Sequence, residues 1–201
     1  MLIIGLTGGI ASGKSEVASI LKKHNFYIVN SDNIAHTILL DKNIKNTLVE
    51  KFGGDILTNG EIDRNKLGDF VFSDPEKRRE INKIIHPHVI TKIAEMIQQA
   101  KNEGFNIVII ESALIGEDDE TLPPWLNGLI LVTSSEEVRI QRLMKNRQLT
   151  YDDALKRIKA QKDPESKRKI ANWIITNDGD LKDLENQVTS TLVEELKRFK
   201  L

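Results

Sequence analysis

Short apolar runs alternate with longer amphipathic stretches along the 201 residues of the chain. Four runs rich in β-branched residues and a weaker fifth run are bounded by turn residues, at positions 2–6, 26–29, 107–110, 129–132 and 173–176. Because these runs lack polar alternation, they predict strands buried on both faces of a sheet. The pattern therefore indicates five parallel strands.

Helical patterns occupy the intervals between the predicted strands. They cover residues 15–23, 75–101, 135–146 and about 181–200. A further helix is predicted to open at Thr150, because Asp153 three positions later forms a pattern like a capping box. Strands that alternate with helices are typical of an α/β fold with helices flanking a parallel sheet.

The stretch from residue 34 to about residue 104 lacks a convincing strand and is too long for a plain crossover between parallel strands. We expect it to form a helical insertion that covers one side of a site. The chain shows neither an internal repeat nor a linker, so residues 1–201 are expected to form a single domain.

Composition narrows the possible functions. The net charge of -1 argues against a broadly basic nucleic-acid binder. The chain has no cysteine, which excludes disulfides, thiolate metal sites and thiol nucleophiles and fits a reducing compartment. No apolar run approaches the roughly 20 residues of a spanning helix, and the N-terminal run lacks the pattern of a secretory signal. We expect a soluble cytoplasmic protein with neither a nucleic-acid nor a membrane partner.

The strongest motif is GGIASGKS at residues 8–15, a full match to the phosphate-loop pattern GxxxxGK[ST] between a strand and a helix. Gly8 and Gly13 allow the backbone to wrap its N–H groups around phosphate oxygens, and the helix start adds a positive end. We expect Lys14 to reach the terminal phosphates of a nucleotide and Ser15 to ligate Mg²⁺. Because the chain lacks the NKxD run of guanine-specific GTPases, ATP is favoured.

Two carboxylates follow predicted strands and suit phosphoryl transfer. Asp32 comes after the second strand, where a carboxylate can orient an acceptor hydroxyl and take its proton, or it can simply cap a helix over residues 34–40. Glu111 ends the third strand, where it can hold magnesium or form a polar strand terminus. The residues alone leave both choices open.

These motifs together resemble the dephospho-CoA kinase family over nearly the whole chain. Its opening signature GLTGGIGSGKS corresponds to residues 5–15, and IIHP occurs at residues 84–87. Residues 111–117 (ESALIGE) are similar to D[IV]PLLFE. Residues 142–150 resemble the lid segment, and residues 173–179 resemble the [VI]IxN[DN]G run.

The resemblance implies a P-loop NTPase fold with a lid at residues 136–169, and transfer of phosphate from ATP with Mg²⁺ to the ribose 3′-hydroxyl of dephospho-CoA. It implies the base Asp32, which matches the second Asp of the family's DAD motif, with Lys14 and Arg142 as further catalytic groups. The remaining expected contacts are ATP at Gly8, Gly9, Ala11, Ser12, Gly13, Lys14, Ser15, Glu16 and Asn177, acceptor at Asp32, His86, Glu117 and Arg147, and metal at Ser15 and Glu111.

Several positions depart from the family pattern. Asn30 replaces the first Asp of DAD, and Ala11 replaces a loop glycine. Ala113 and Gly116 replace Pro and Phe in the third-strand motif. The lid arginine is Asn146 here, so either Arg147, one step along, takes its role in neutralising the transferring phosphoryl group, or Arg142 and Arg139 carry it.

Some assignments stay open between a structural and a functional role. His86 lies next to the acceptor in the resemblance, yet a lone histidine in an amphipathic helix also suits a structural position. Asn177 and Asp178 suit either an adenine contact or an Asx turn. Two other functions remain as alternatives: a kinase for a nucleoside, a nucleotide or a small sugar acid, and a nucleotide-binding regulator without transfer activity. The oligomeric state is not fixed by the sequence.

The near-zero net charge conceals a local excess of positive charge. Residues 136–169 contain 11 Lys and Arg against six Asp and Glu, a balance of +5, so the remainder of the chain carries -6. Such a run is usually a solvated helix face. Because this one follows the fourth strand, where P-loop kinases place the lid, we expect it to cover a polyanionic substrate.

Overall fold

The structure, a computed structural model, describes residues 1–72, 74–116, 121–161 and 164–198. The chain divides into two compact units. One comprises Met1–Val29 with Ala100–Leu201, and the other comprises Asn30–Gln99. We call them the sheet unit and the helical unit, and each is described by itself.

The strands in the described residues are β1 (Leu2–Gly8), β2 (Tyr27–Asn30), β3 (Leu57–Thr58), β4 (Glu61–Ile62), β5 (Ile107–Glu111), β6 (Gly128–Thr133) and β7 (Trp173–Thr176). The α-helices are α1 (Lys14–Lys23), α2 (Ser31–Ile38), α3 (Lys42–Phe52), α4 (Arg64–Phe72), α5 (Pro75–Asn102), α6 (Glu136–Arg147), α7 (Tyr151–Lys159), α8 (Leu181–Gln187) and α9 (Glu194–Arg198). Short 3₁₀ turns occupy Gly54–Ile56 and Pro164–Lys169.

Five of these strands form one sheet in the order β2-β5-β1-β6-β7, which confirms the predicted α/β architecture. The β1–β5, β1–β6 and β6–β7 pairs are parallel. Strands β5 and β6 are buried along their whole length, as expected for strands covered on both faces. Their apolar side chains join α1 and the C-terminal helices in the main core.

Strand β1 is the central strand of the sheet, and its two neighbours determine which residues lie beside the loop that follows it. In the register, Leu6 lies beside Glu111 of β5, and Gly8 lies beside Val132 of β6. The carboxyl ends of these three strands therefore meet at one edge, immediately before the loop that leads into α1. Ligands of open α/β sheets bind at this kind of edge.

The C-terminal helix is less regular than the expected single helix over residues 181–200. Between α8 and α9, residues Val188–Val193 form a π-helical segment. Val188, Leu192 and Val193 of this segment are buried in the main core. An extra residue per turn shifts the direction of the side chains that follow, and α9 still buries Leu196.

The helical unit contains α2 to α4, nearly all of α5 and a small hairpin. This hairpin of β3 and β4 is absent from the strand prediction, because two-residue strands are too short to show alternation. Its turn residues Asn59 and Gly60 both have positive φ, 52° and 80°, the conformation typical of Asn-Gly hairpin turns. The Asn-Gly pair was thus the available sequence signal.

Asp32 does not cap a helix, which removes one of the two roles left open for it. Helix α2 begins at Ser31, and its N-cap is Asn30, whose side chain accepts a hydrogen bond from the Asn33 N–H at 2.8 Å. Asp32 lies in the first turn, and its side chain is exposed. The carboxylate is therefore not used for capping.

None of the helices among the described residues combines the length and apolar character that crossing a membrane would require.

Candidate nucleotide and acceptor residues

The phosphate loop joins β1 to α1, as predicted from residues 8–15. A Cβ atom at Gly8 would lie 2.3 Å from the Val132 carbonyl oxygen, so only glycine fits against β6. Gly13 has φ 96°, and a Cβ there would lie 2.0 Å from Asn177 Nδ2. Ala11 adopts φ 58°, a conformation that costs a non-glycine residue about 1 kcal/mol. The glycine of the family pattern at this position would avoid that strain.

Lys14 and Ser15 lie at the start of α1. The Lys14 ammonium donates to the carbonyl oxygens of Gly8 at 2.8 Å and Gly9 at 3.4 Å, so it lies over the loop itself. The Ser15 hydroxyl donates to Glu111 Oε1 at 2.8 Å. Glu111 is only 4% exposed, so it is no solvated strand terminus. The structure therefore brings together the two predicted metal ligands.

Asn177 and Arg142 bind the loop at the carbonyl oxygen of Ser12. Asn177 Nδ2 donates to this oxygen at 2.8 Å, and Arg142 Nη1 approaches it at 3.4 Å. Arg142 also donates to the Ala11 carbonyl oxygen at 3.3 Å and to Asn177 Oδ1 at 3.1 Å. Asn177 is 5% exposed. Its amide thus joins the loop to the guanidinium group of the lid region.

Both backbone polar groups of Ile10, in the phosphate loop, form hydrogen bonds to side chains. Its N–H donates to Gln161 Oε1 at 2.6 Å, and its carbonyl oxygen accepts from Arg139 Nε at 2.9 Å. Gln161 is a contact of the phosphate loop that the sequence did not reveal, because no local pattern links it to a residue 151 positions away.

Asp178 anchors the beginning of α6. Its Oδ1 accepts from the Ser135 N–H at 2.7 Å and from the Ser134 hydroxyl at 2.8 Å. The Ser135 N–H bond is the largest cause that lowers the pKa of Asp178, with smaller contributions from the serine hydroxyls and Arg142, while desolvation opposes it. The contacts of Asn177 and Asp178 thus go to residues distant in the chain rather than to an Asx turn.

The predicted lid region contains α6 and α7. Thr150 caps α7 as predicted, accepting a bond from the Asp153 N–H at 3.2 Å. Ile140, Leu143, Ala154 and Ile158 form a small core to which Ile10 and Ala11 of the phosphate loop also belong. Apolar packing therefore adds to the hydrogen bonds between this region and the loop. Arg147, near the end of α6, is exposed.

Two cavities flank these residues within the sheet unit. One of about 270 Å³ is lined by Gly13, Glu16, Arg142, Arg147 and Asn177, among others. The other, of about 410 Å³, is lined by residues that include Gly9, Ser12, Ser134, Arg139 and Gln161. The predicted ATP residues Glu16 and Asn177 thus line one common cavity with Arg142 and Arg147.

Asp32 and His86 belong to the helical unit, and both are exposed. Asp32 stands one helical turn from His36, whose Nε2 lies 2.7 Å from Arg64 Nη2. Burial and the Arg64 charge lower the pKa of His36, and Asp32 partly offsets them. The sequence had singled out neither His36 nor Arg64, since no motif contained them. Glu117, the remaining predicted acceptor residue, lies outside the described residues.

A model of a protein family described as dephospho-CoA kinase matches residues 2–183. A dephospho-CoA kinase of Bacillus licheniformis is 38% identical over 193 residues, which are 95% of each chain. A dephospho-CoA kinase of Arabidopsis thaliana is 36% identical over 196 residues, covering 96% of this chain and 84% of its own.

Solved structures are similar over the same extent. A crystal structure of a Thermus thermophilus protein superimposes with a TM-score of 0.79 at 32% identity, covering 96% of this chain and 97% of its own. The dephospho-CoA kinase of Campylobacter jejuni gives a TM-score of 0.58 at 27% identity, with 96% of both chains covered.

Proposed function

The chain belongs to the dephospho-CoA kinase family, and we propose that it transfers the γ-phosphoryl group of ATP to the ribose 3′-hydroxyl of dephospho-CoA, giving CoA and ADP. The observation that carries this proposal is the match to the family over residues 2–183, in a chain whose complete phosphate loop is held between β1 and α1. The proposal also places the enzyme in the cytoplasm, in keeping with its lack of cysteine.

The transfer is a displacement at phosphorus. The 3′-oxygen of the acceptor forms a bond to the γ-phosphorus of ATP while the bond from that phosphorus to the β,γ-bridging oxygen breaks, and ADP leaves with the electron pair. The proton of the 3′-hydroxyl passes to the Asp32 carboxylate. This exposed side chain, which caps no helix, is available to accept it.

The phosphate loop is proposed to bind the triphosphate of ATP. The expected contacts are at Gly9, Ala11, Ser12 and Gly13, and Gly8 permits the close approach of the loop to β6. Lys14 supplies a positive charge for the β and γ phosphates. Glu16 and Asn177 line the cavity of about 270 Å³ that we assign to the nucleoside part of ATP.

Ser15 and Glu111 would hold Mg²⁺. Their oxygens already share a hydrogen bond of 2.8 Å, and a hydroxyl with a carboxylate forms the hard oxygen set that this ion prefers. When bound, the ion neutralises charge on the phosphate oxygens. The protein contributes the fixed orientation of both ligands, since one starts α1 and the other ends β5.

Charge on the transferring phosphoryl group requires a cation from the lid region. Arg142 is proposed for this role, because its guanidinium group contacts the phosphate loop at the carbonyl oxygens of Ala11 and Ser12. Arg147 is exposed, and we assign it to acceptor binding from its place in the lid segment. Arg139 is bound to the Ile10 carbonyl oxygen, which favours a structural role for it.

The helical unit is proposed to bind the acceptor. It carries Asp32 and His86, and Glu117 is assigned to the same task by its place in the family motif. The match to the family disfavours the alternative acceptors, and the intact Lys14, Ser15 and Glu111 disfavour a regulator that lacks transfer activity.

The proposal is tested by incubating the protein with ATP, Mg²⁺ and a panel of acceptors, and measuring product masses. The panel contains dephospho-CoA, nucleosides, nucleotides and small sugar acids. Phosphorylation confined to dephospho-CoA supports the proposal. A preferred product from another acceptor, or ATP binding without any product, contradicts it.

A further inference from the structure

Lys167 is a buried lysine in a segment whose other cations are exposed. It lies in the 3₁₀ segment Pro164–Lys169 and is 4% exposed, whereas Arg168 and Lys169 are exposed to solvent. Burial of an ammonium group is costly unless hydrogen bonds compensate for the lost water. The Lys167 ammonium group therefore needs hydrogen-bond acceptors within the protein.

Two of those partners belong to the edge of the sheet where the phosphate loop begins. Lys167 Nζ donates to the Ala113 carbonyl oxygen at 2.6 Å and to the Thr7 hydroxyl at 3.2 Å. The Thr7 hydroxyl in turn lies 3.4 Å from the Ala113 carbonyl oxygen, and Thr7 is fully buried. One ammonium group thus joins the end of β1 to the chain that follows β5.

Both contact positions lie next to residues of the proposed site. Thr7 immediately precedes Gly8 of the phosphate loop, and Ala113 comes two residues after Glu111. The chain after Glu111 is also fixed to β1 by its backbone, because the Ser112 N–H donates to the Leu6 carbonyl oxygen at 3.0 Å. We call residues 112–116 the post-β5 loop.

Ile170, which directly follows the 3₁₀ segment, packs against the far end of the post-β5 loop. Gly116 has φ 70°, and a Cβ at this position would lie 2.6 Å from Ile170 Cδ1. Its hypothetical Cβ would also lie 3.9 Å from Lys167 Cγ. Glycine in place of the family's larger residue thus leaves room for Ile170, and the segment around Lys167 touches the loop at two points.

We propose that Lys167 is a positioning residue for the acceptor: through the Ala113 carbonyl oxygen and the Thr7 hydroxyl it fixes the post-β5 loop relative to the phosphate loop. The proposal rests on the proposed function, in which the motif that contains this loop, residues 111–117, contributes to the acceptor site. It assigns Lys167 no contact with ATP: the two bonds that carry the proposal go to Thr7 and Ala113, whereas Arg142 and Asn177 bind the phosphate loop at Ser12.

Lys167→Met tests the proposal, because methionine keeps an unbranched side chain but lacks the ammonium group. We expect the KM for dephospho-CoA to rise about tenfold, as for the loss of a charged hydrogen bond, while the Kd for ATP changes less than about twofold. Lys101→Met, which removes an exposed lysine of the sheet unit, is the matched control and should leave both constants unchanged.

Equal weakening of ATP and acceptor binding by Lys167→Met would overturn the proposal, because it would indicate general damage to the fold. Unchanged constants would overturn it as well. Failure of the proposed function is distinguishable, since wild-type protein would then form no CoA from dephospho-CoA.

Two variants of Thr7 test the proposal if Lys167→Met does not fold. Thr7→Ser keeps the hydroxyl that Lys167 binds, and Thr7→Val removes it at nearly the same volume. The proposal expects a higher KM for dephospho-CoA in Thr7→Val than in Thr7→Ser, with similar ATP affinity in both. Equal acceptor KM values in the two variants would contradict it.

Discussion

Several candidate functional side chains of the sheet unit are buried, whereas the described ones of the helical unit are exposed. In the sheet unit, Ser12, Glu111 and Asn177 are at most 5% exposed, and the last two share hydrogen bonds with other residues of the site. In the helical unit, Asp32 and His86 are exposed. Preorganised groups suit binding of a triphosphate, whereas exposed groups are free to meet an acceptor. The comparison suggests that nucleotide binding and phosphoryl transfer can be separated by mutation.

Lys14→Ala should have the largest effect, because it removes a charge that serves both binding and transfer. We expect kcat/KM to fall on the order of 10⁴-fold, since we propose that the ammonium interacts with bound ATP and more strongly with the transition state. Steady-state kinetics with dephospho-CoA measures kcat/KM, and calorimetry measures the affinity for ATP. Retention of wild-type ATP affinity would show that the loop backbone alone binds the nucleotide.

Asp32→Asn should impair phosphoryl transfer without weakening the binding of ATP. The amide is nearly the same size but is not a base, so transfer should fall on the order of 10³-fold. ATP affinity, which we assign to the sheet unit, should stay within about twofold of wild type. Asp69→Asn, an exposed carboxylate on α4, serves as a control with normal turnover. Near-normal turnover of Asp32→Asn would show that another group takes the proton.

Asn177→Ala tests whether the buried hydrogen bonds of the sheet unit position the phosphate loop. It removes the donor to the Ser12 carbonyl oxygen and the acceptor for Arg142, so ATP affinity should fall about tenfold. Asn46→Ala on the exposed face of α3 should leave ATP affinity unchanged. If both variants bind ATP like the wild type, the loop does not depend on this amide.

The smallest effect concerns His36 of the helical unit. Its pKa lies below the ordinary value of 6.5 because of burial and Arg64. As the pH falls through 6.5, the unfolded chain therefore takes up a proton before the folded chain does, and the free energy of unfolding decreases. Between pH 7.5 and pH 5.5, the free energy of unfolding measured with urea should decrease more for the wild type than for His36→Asn. Equal decreases in the two proteins would contradict a lowered pKa of His36.

Local sequence patterns predicted the phosphate loop and the strands of the sheet around it. The glycines, Lys14 and Ser15 of the phosphate loop are recognisable because one continuous motif sets the backbone course between a strand and a helix. The strands were visible as well, most clearly β5 and β6, since burial on both faces leaves continuous apolar runs, whereas the run of β7 was weaker. A strand-ending carboxylate could also be located, although its bond to Ser15 required the parallel register of β1 and β5.

Contacts between distant parts of the chain could not be predicted from such patterns. Gln161 meets Ile10, and Lys167 meets Thr7, across 151 and 160 positions, and neither residue lies in a recognisable motif. The sequence left open whether Asp32 caps a helix, because Asp and Asn both favour helix starts, and the structure places the cap at Asn30. Packing, rather than periodicity, decides such details.

The most direct test of the account is to locate the phosphate that the protein transfers. Wild-type protein, ATP, Mg²⁺ and dephospho-CoA are incubated together, and the product is examined by ³¹P–¹H correlation NMR. The account predicts ADP and one new phosphomonoester coupled to the proton at the ribose 3′ carbon. A phosphate on another hydroxyl, or ADP with free inorganic phosphate and unchanged dephospho-CoA, would contradict it.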